Sequence, residues 1–143
     1  RDQPRSRGLG DVYKRQSVDG VGERVALKMI METDAFTSFT DPRKFCCHAG
    51  VVPFVYVSGS SQRSKNRVSN RADKSIKHLL HMAVLSVSQV KNSPLKKYYD
   101  RKVEEGKNKM SVLNAVRAKL VTIMFAVIRT DAFFSRNYQN SLA

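Results

Sequence analysis

The stretch ADKSIKHLLHMAVLSVSQV, residues 72–90, decides the fold. Its apolar side chains Ile76, Leu79, Leu80, Ala83, Val84 and Val87 recur three and four residues apart, as on one face of a helix. That spacing predicts a long amphipathic helix from about Ala72 to Val90 with those six residues buried. Asn92-Ser93-Pro94 then ends this helix and opens another, with Ser93 as N-cap and Pro94 at the first helical position. The second helix carries Leu95, Tyr98, Tyr99 and Val103 and stops at Gly106. A last helix, over about 110–130, is the most apolar and is expected at the centre of the core. Asn114, Arg117, Lys119 and Thr122 interrupt its apolar stretch 112–128, which therefore reads as a buried helix and not as a membrane span. Residues 135–143 read as a frayed tail.

Upstream of the deciding stretch, Asp19-Gly20-Val21-Gly22 is a tight turn leading into a helix over Glu23–Thr33. Val25, Met29 and Glu32 mark one side of that helix, and Leu27, Ile30 and Met31 widen its apolar stripe. Thr40-Asp41-Pro42 starts a further helix, with Asp41 as N-cap and Pro42 at the first position, running through Phe45 to Gly50. Residues 51–57 are β-branched and aromatic around Pro53. They read as a short strand or an extended arm, and Pro53 argues against a central strand. Residues 58–61 form a loop, and 62–70 are polar and basic. The expected fold class is mainly α, one domain with a short extended arm and a basic loop.

A chain of 143 residues with 41% hydrophobic content is long and apolar enough for one packed core. Its formal net charge of +14 opposes compaction unless polyanions neutralise it. Nucleic acid is therefore the leading partner class, with an anionic membrane surface second. Cys46 and Cys47 are adjacent, with no second pair to make a disulfide framework or a zinc site. They read as reduced thiols, and the expected location is the cytoplasm. No apolar run follows the early arginines as a secretory signal would.

Residues 1–16, RDQPRSRGLGDVYKRQ, have neither helical nor strand periodicity. They resemble translated sequencing-adaptor read-through and are set apart as a non-native segment. The alternative is a native basic arm touching DNA phosphates. Five basic and two acidic residues lie there, so the remainder keeps a net charge of +11.

Three local motifs bear on chemistry. Gly20 and Gly22 flank a turn whose exposed N–H groups, beside a helix N-terminus, suit a phosphate; a plain helix-start turn fits the same residues. The basic tract Arg63, Lys65, Arg67, Arg71, Lys74 and Lys77 contains a single carboxylate, Asp73. It begins in a Ser-rich loop and ends on a helix, so flexible cations could reach phosphates from a fixed register. The alternative there is a solvated charged face. Ser58-Gly59 lies just before it, where a hydroxyl could attack a phosphodiester whose charge the arginines stabilise; Ser-Gly is also a common turn. Among competing nucleophiles, Tyr98 and Tyr99 lie among apolar helical neighbours, and Tyr56 in the apolar arm; all three read as structural.

The order of segments SVDGVGERVALKMI, DPRKFCCHAGVVPF, VSGSS, RVSNRADKSIKHLLHMAVLSV and PLKKYYDRKVEEGKNKMSVLNAVRAKLVTIMFAVI resembles the C-terminal transposase domain of the Piv-invertase-like insertion-sequence transposases, a family associated with bridge-RNA guidance. The resemblance covers about residues 17–134. It implies a helix–hairpin–helix-related domain in which Ser58 is the nucleophile joined transiently to a DNA phosphate. It also implies that Arg67, Arg71 and Lys77 contact DNA or guide RNA. Where the family often has glycine after the basic residue at Arg71, this chain has Ala72.

The resemblance further implies a preceding RuvC-like domain with acidic residues that hold a divalent metal such as magnesium. No carboxylate cluster of that kind is legible here, since Glu104 and Glu105 cannot share a helix face. The sequence expectation is thus a fragment that binds DNA, carries the serine, and has no cofactor of its own. The full-length protein is expected to be a homo-oligomer acting on DNA with a guide RNA and no membrane. A non-catalytic helix–hairpin–helix binding module is the alternative.

Overall fold

The computed structural model describes residues 17–53, 57–59, 62–63, 68–131 and 134–135. Within them the chain forms α1 (Glu23–Thr33), α2 (Pro42–His48), β1 (Val57–Ser58), β2 (Gln62–Arg63), α3 (Lys74–Gln89), α4 (Pro94–Glu104) and α5 (Lys109–Thr130). The two short strands pair antiparallel with each other, and the rest of the regular structure is helical, as the apolar spacing predicts.

Helix α3 begins two residues later than the pattern suggests because Asp73 caps it. The Asp73 carboxylate accepts from the Ser75 N–H at 2.8 Å and the Ile76 N–H at 3.4 Å. Ile76, Leu80, Ala83, Val84 and Val87 are buried as expected, while Leu79 is half-buried at the edge of the core. Helix α5 packs against α2, α3 and α4, burying Val112, Val116, Leu120, Val121 and Met124. At 22 residues, α5 is longer than the 112–128 stretch, and by length and composition alone it could cross a membrane. Its buried face makes it the core helix instead, and that face includes Arg117, with 4% of its surface exposed.

The apolar stripe of α1 departs from the sequence reading. Leu27 and Met31 are 44% and 75% exposed, whereas Val25, Ala26, Met29 and Thr33 are buried. The face turned to α3 runs through 25, 29 and 33 with Ala26 beside them. Leu27 and Met31, two positions further round, point away from it. After α1, Asp34, Ala35 and Phe36 all adopt positive φ (48°, 54° and 66°), although the turn holds no glycine. Each such residue costs about 1 kcal/mol. Thr33 helps to hold the turn: its hydroxyl donates to the Met29 carbonyl at 2.6 Å and accepts the Phe36 N–H at 3.0 Å. Phe36 then meets Phe125 edge-on, with centroids 4.6 Å apart.

Asp41 caps α2 by accepting the Arg43 N–H at 2.9 Å, with Pro42 at the first helical position. Ser93 stands at the start of α4 but makes no side-chain cap; its hydroxyl is buried without a hydrogen-bond partner. Phe45 is fully buried between Phe39 and Phe125. Cys46 is also buried, and burial, with Cys47 and Asp41 nearby, pushes its thiol up to about 12. It is therefore not a nucleophile at neutral pH.

Asp73 supports a pH-dependent contribution to stability. Burial disfavours its ionised form, but the Ser75 and Ile76 N–H groups and the Lys28 charge outweigh that, holding its pKa below the ordinary carboxylate range. A folded-state pKa below the unfolded one stabilises above about pH 4 and is lost as pH falls through the folded value. Asp73→Ala is expected to cost about 1 kcal/mol near neutrality and less at a pH low enough to protonate the folded carboxyl. Urea titrations of both proteins at the two pH values check this.

Candidate nucleic-acid interface

The basic tract ends where two helices meet. Gly50, with φ of 69°, follows α2 and lies against Ala72; a Cβ on Gly50 would come within 2.5 Å of the Ala72 Cβ and 3.1 Å of Val68 Cγ1. The Asp73 N–H also donates to the His48 carbonyl at 3.4 Å. The missing side chain at Gly50 leaves room for Ala72. Ser69 accepts the Arg71 N–H at 3.2 Å, closing the turn that delivers Arg71 to the start of α3.

Charge at this corner is uneven. Asp73, the tract's one carboxylate, caps α3 and faces Lys28 at 3.8 Å, while Lys28 also pairs with Glu32 at 2.6 Å. Arg71, Lys74 and Lys77 make no ion pair with any described residue. Arg71 and Lys74 are exposed and Lys77 is half-buried, so three uncompensated cations stand at the N-terminal end of α3. That end is less suited to cations because the helix dipole is positive there. An anionic ligand would relieve both.

Ser58 lies on β1 immediately before the turn at Gly59. The strand register sets Val57 opposite Arg63 and Ser58 opposite Gln62. Gly59 has φ of 75° and is exposed, with open space around the position a Cβ would take. The hairpin thus brings the backbones of Ser58 and Arg63 to adjoining rungs. Lys65, Arg67 and Tyr56 lie outside the described residues.

The glycine turn before α1 lies elsewhere. Gly20, with φ of 81°, is pressed on the C-terminal half of α3: an added Cβ would meet Val87 Cγ2 at 2.2 Å and the Ala83 carbonyl oxygen at 2.6 Å. Gly22 is exposed and stands at the N-cap of α1, with Glu23 in the first turn. Nine to thirteen residues of α3 separate Lys74 from Ala83 and Val87, about 14–20 Å along the helix. The glycine turn and the basic corner are therefore two separate places on one face-to-face helix pair.

Among the described residues no group of three His, Cys, Asp or Glu could hold a metal ion. Asp100 pairs with Lys96 at 3.2 Å and Glu105 with Lys102 at 2.7 Å, so these carboxylates do not fit the divalent metal that the resemblance implies. Tyr98 is half-buried beneath two cations, with Lys119 Nζ 4.6 Å and Arg101 Cζ 5.6 Å from its ring centroid, which supports a packing role.

Two polar groups escaped the sequence reading. Arg117 is buried on α5 with its Nε unpartnered, and His81 on α3 has an unpartnered, buried Nδ1. Burial, followed by the charges of Arg117 and His78, holds His81 below its ordinary pKa. The signal for Arg117 was its phase: it falls four residues after Leu113 and three before Leu120, on the buried stripe.

Comparison with known proteins adds a family. The model described as the Transposase IS116/IS110/IS902 family matches residues 15–100. The chain is similar to a pilin gene-inverting protein of Moraxella bovis, 25% identical over 120 residues, covering 84% of this chain and 37% of that protein. A pilin gene-inverting protein of Moraxella lacunata matches with the same identity and coverage. An uncharacterized 43.6 kDa protein of insertion element IS110 from Streptomyces coelicolor is 27% identical over 120 residues, covering 82% of this chain and 29% of that protein. The chain thus spans only 29–37% of the length of these curated relatives. With more than half of its length matched by the family model, this chain belongs to the IS116/IS110/IS902 transposase family.

Proposed function

We propose that this chain is the DNA-holding, serine-bearing part of a transposase that cleaves and rejoins strands. The observation that carries the reading is the uncompensated charge of Arg71, Lys74 and Lys77 at the end of a tract that starts beside Ser58. In this reading Arg63, Lys65 and Arg67 extend the phosphate contacts along the tract, and guide RNA shares the same basic surface. The exposed start of α1 at Gly22 adds backbone N–H groups in the manner of a helix–hairpin–helix, with Gly20 fixing the turn on α3. Glu23 opposes a phosphate there, so the main anchor is the tract.

Ser58 Oγ would attack phosphorus, forming a serine–phosphate ester as one deoxyribose oxygen leaves; the reverse attack by a strand end rejoins the DNA and frees the serine. Arginines nearby stabilise the charge on the equatorial oxygens. The names of the Moraxella relatives speak of gene inversion, and that of the Streptomyces relative of an insertion element, which supports a cut-and-rejoin activity. A divalent metal, if used, would come from residues other than those described here.

Replacing Arg71, Lys74 and Lys77 together by alanine is expected to weaken duplex binding at least tenfold at 0.1 M salt and to flatten its salt dependence by about three units of log–log slope. Fluorescence anisotropy with a labelled duplex measures both. Unchanged affinity and slope would remove the tract from the interface.

A further inference from the structure

The outer face of α2 carries a cluster of cations outside the basic tract. Asp41, Arg43, Lys44, Cys47 and His48 line an open cavity of about 400 Å³. Arg43 and Cys47, and likewise Lys44 and His48, are four residues apart, so all four share that face. Arg43 and Lys44 are exposed and make no ion pair with any described residue. The carboxylate lining the cavity, Asp41, is engaged as the α2 cap, accepting the Arg43 N–H at 2.9 Å. His48 stands at the other end of the face. Phe39 lies against its ring with centroids 5.2 Å apart, and Glu32 Oε2 is 3.7 Å from its Nε2. The unpaired positive charge of the cavity therefore belongs to Arg43 and Lys44.

We propose that this cavity on α2 seats a nucleic-acid phosphodiester, with Arg43 and Lys44 as its donors and His48 at its rim. This rests on the DNA-binding reading and carries the interface from the start of α3 across to α2. The ligand class follows from continuity with the uncompensated corner. The His48 carbonyl accepts the Asp73 N–H at 3.4 Å, and Gly50, just beyond α2, lies against Ala72. Arg71 and Lys74 flank those two residues, so the tract ends beside the His48 end of α2. The carboxylates at this junction are engaged: Asp73 by the α3 cap and Lys28, Glu32 by Lys28. From His48 back to Lys44 and Arg43 is about 6–8 Å along α2, the rise of about two nucleotides on one strand. A guanidinium beside an ammonium in a concave site offers a phosphate both parallel donors and a point charge. An acidic peptide would meet the same cations, and the experiment separates the two.

The two cysteines supply a readout in the unaltered 143-residue chain. Cys47 lines the cavity and is half-buried, whereas Cys46 is buried with its thiol pushed up to about 12. N-ethylmaleimide should therefore label Cys47 and spare Cys46. A saturating short duplex is expected to slow Cys47 labelling about tenfold at about 0.1 M salt, and an oligoglutamate peptide of equal charge to leave it unchanged. Arg43→Ala and Lys44→Ala together are expected to weaken duplex binding about tenfold and to flatten the log–log salt slope by about two units. The melting temperature should hold, because both side chains are exposed and the Asp41 cap uses only the Arg43 backbone. Labelling that ignores saturating duplex, or that oligoglutamate slows as strongly as duplex does, would overturn the proposal. So would a double variant with the parent's affinity and slope. If Cys47 of the free chain does not label, the double variant decides; if the double variant does not fold, labelling of the parent decides. A parent chain that binds no duplex at all fails the DNA-binding reading and this inference with it. Binding that is lost on replacing Arg71, Lys74 and Lys77 but kept on replacing Arg43 and Lys44 fails this inference alone.

Discussion

Ser58→Ala, placed in a full-length transposase carrying this segment, is expected to lose covalent protein–DNA adducts altogether. Removing a covalent nucleophile costs on the order of 10⁶-fold in rate where serine chemistry has been dissected. Ser58 closes β1 and directly precedes the turn at Gly59. No atom lies within 4 Å of the place a Cβ would take at Gly59, and β2 sets Gln62 opposite Ser58. Nuclease digestion followed by mass spectrometry should find a phosphodeoxynucleotide on the peptide containing Ser58, and on no peptide of the alanine variant. Adducts that persist in that variant place the nucleophile elsewhere. If they map to Tyr98, the packing role given by Lys119 and Arg101 over its ring is also wrong.

Gly20→Ala should cost about 3 kcal/mol, whereas Gly22→Ala should change stability by less than about 0.5 kcal/mol. Gly20 holds φ of 81°, where an alanine Cβ is strained, and that Cβ would sit 2.6 Å from the Ala83 carbonyl oxygen. A side-chain methyl of Val87 could rotate away, but a helix carbonyl cannot without breaking the α3 ladder. At Gly22 no atom lies within 4 Å of the added carbon, and its φ of −81° is ordinary. For a domain of this size the first change corresponds to a melting temperature about 10 °C lower. Thermal unfolding followed by circular dichroism resolves such a difference. Equal effects at both glycines would mean that the turn does not pack on α3.

The helices were legible because their signals are local. Asp41-Pro42 and Ser93-Pro94 mark starts that the structure reproduces, and the apolar rows of α3 and α5 point to the core within a residue or two. What stayed hidden depends on partners distant in sequence. The exposed Leu27 and Met31 follow from which side of α1 meets α3, and a stripe of six apolar residues on eleven does not specify that. The left-handed run Asp34, Ala35 and Phe36 has no glycine to announce it, and is fixed by Thr33 and by Phe125, far along the chain. At the site, the charge of the tract was visible in composition, but its imbalance was not. It emerges only once Asp73 is seen to be committed to the α3 cap and to Lys28. Gly20 and Gly22 looked equivalent as letters and separate into a packed and an open residue because α3 lies against one of them. Ser58 carries no local mark of reactivity, and its assignment rests on the family.

The claim beneath all of this is that the basic tract holds DNA by its phosphates. The most direct measurement is the affinity of the 143-residue chain for a duplex as a function of salt between 50 and 200 mM, roughly the range over which phosphate contacts are most sensitive. With about five phosphates neutralised, log K against log salt should fall with a slope of about −4 to −5. A slope near zero would contradict it.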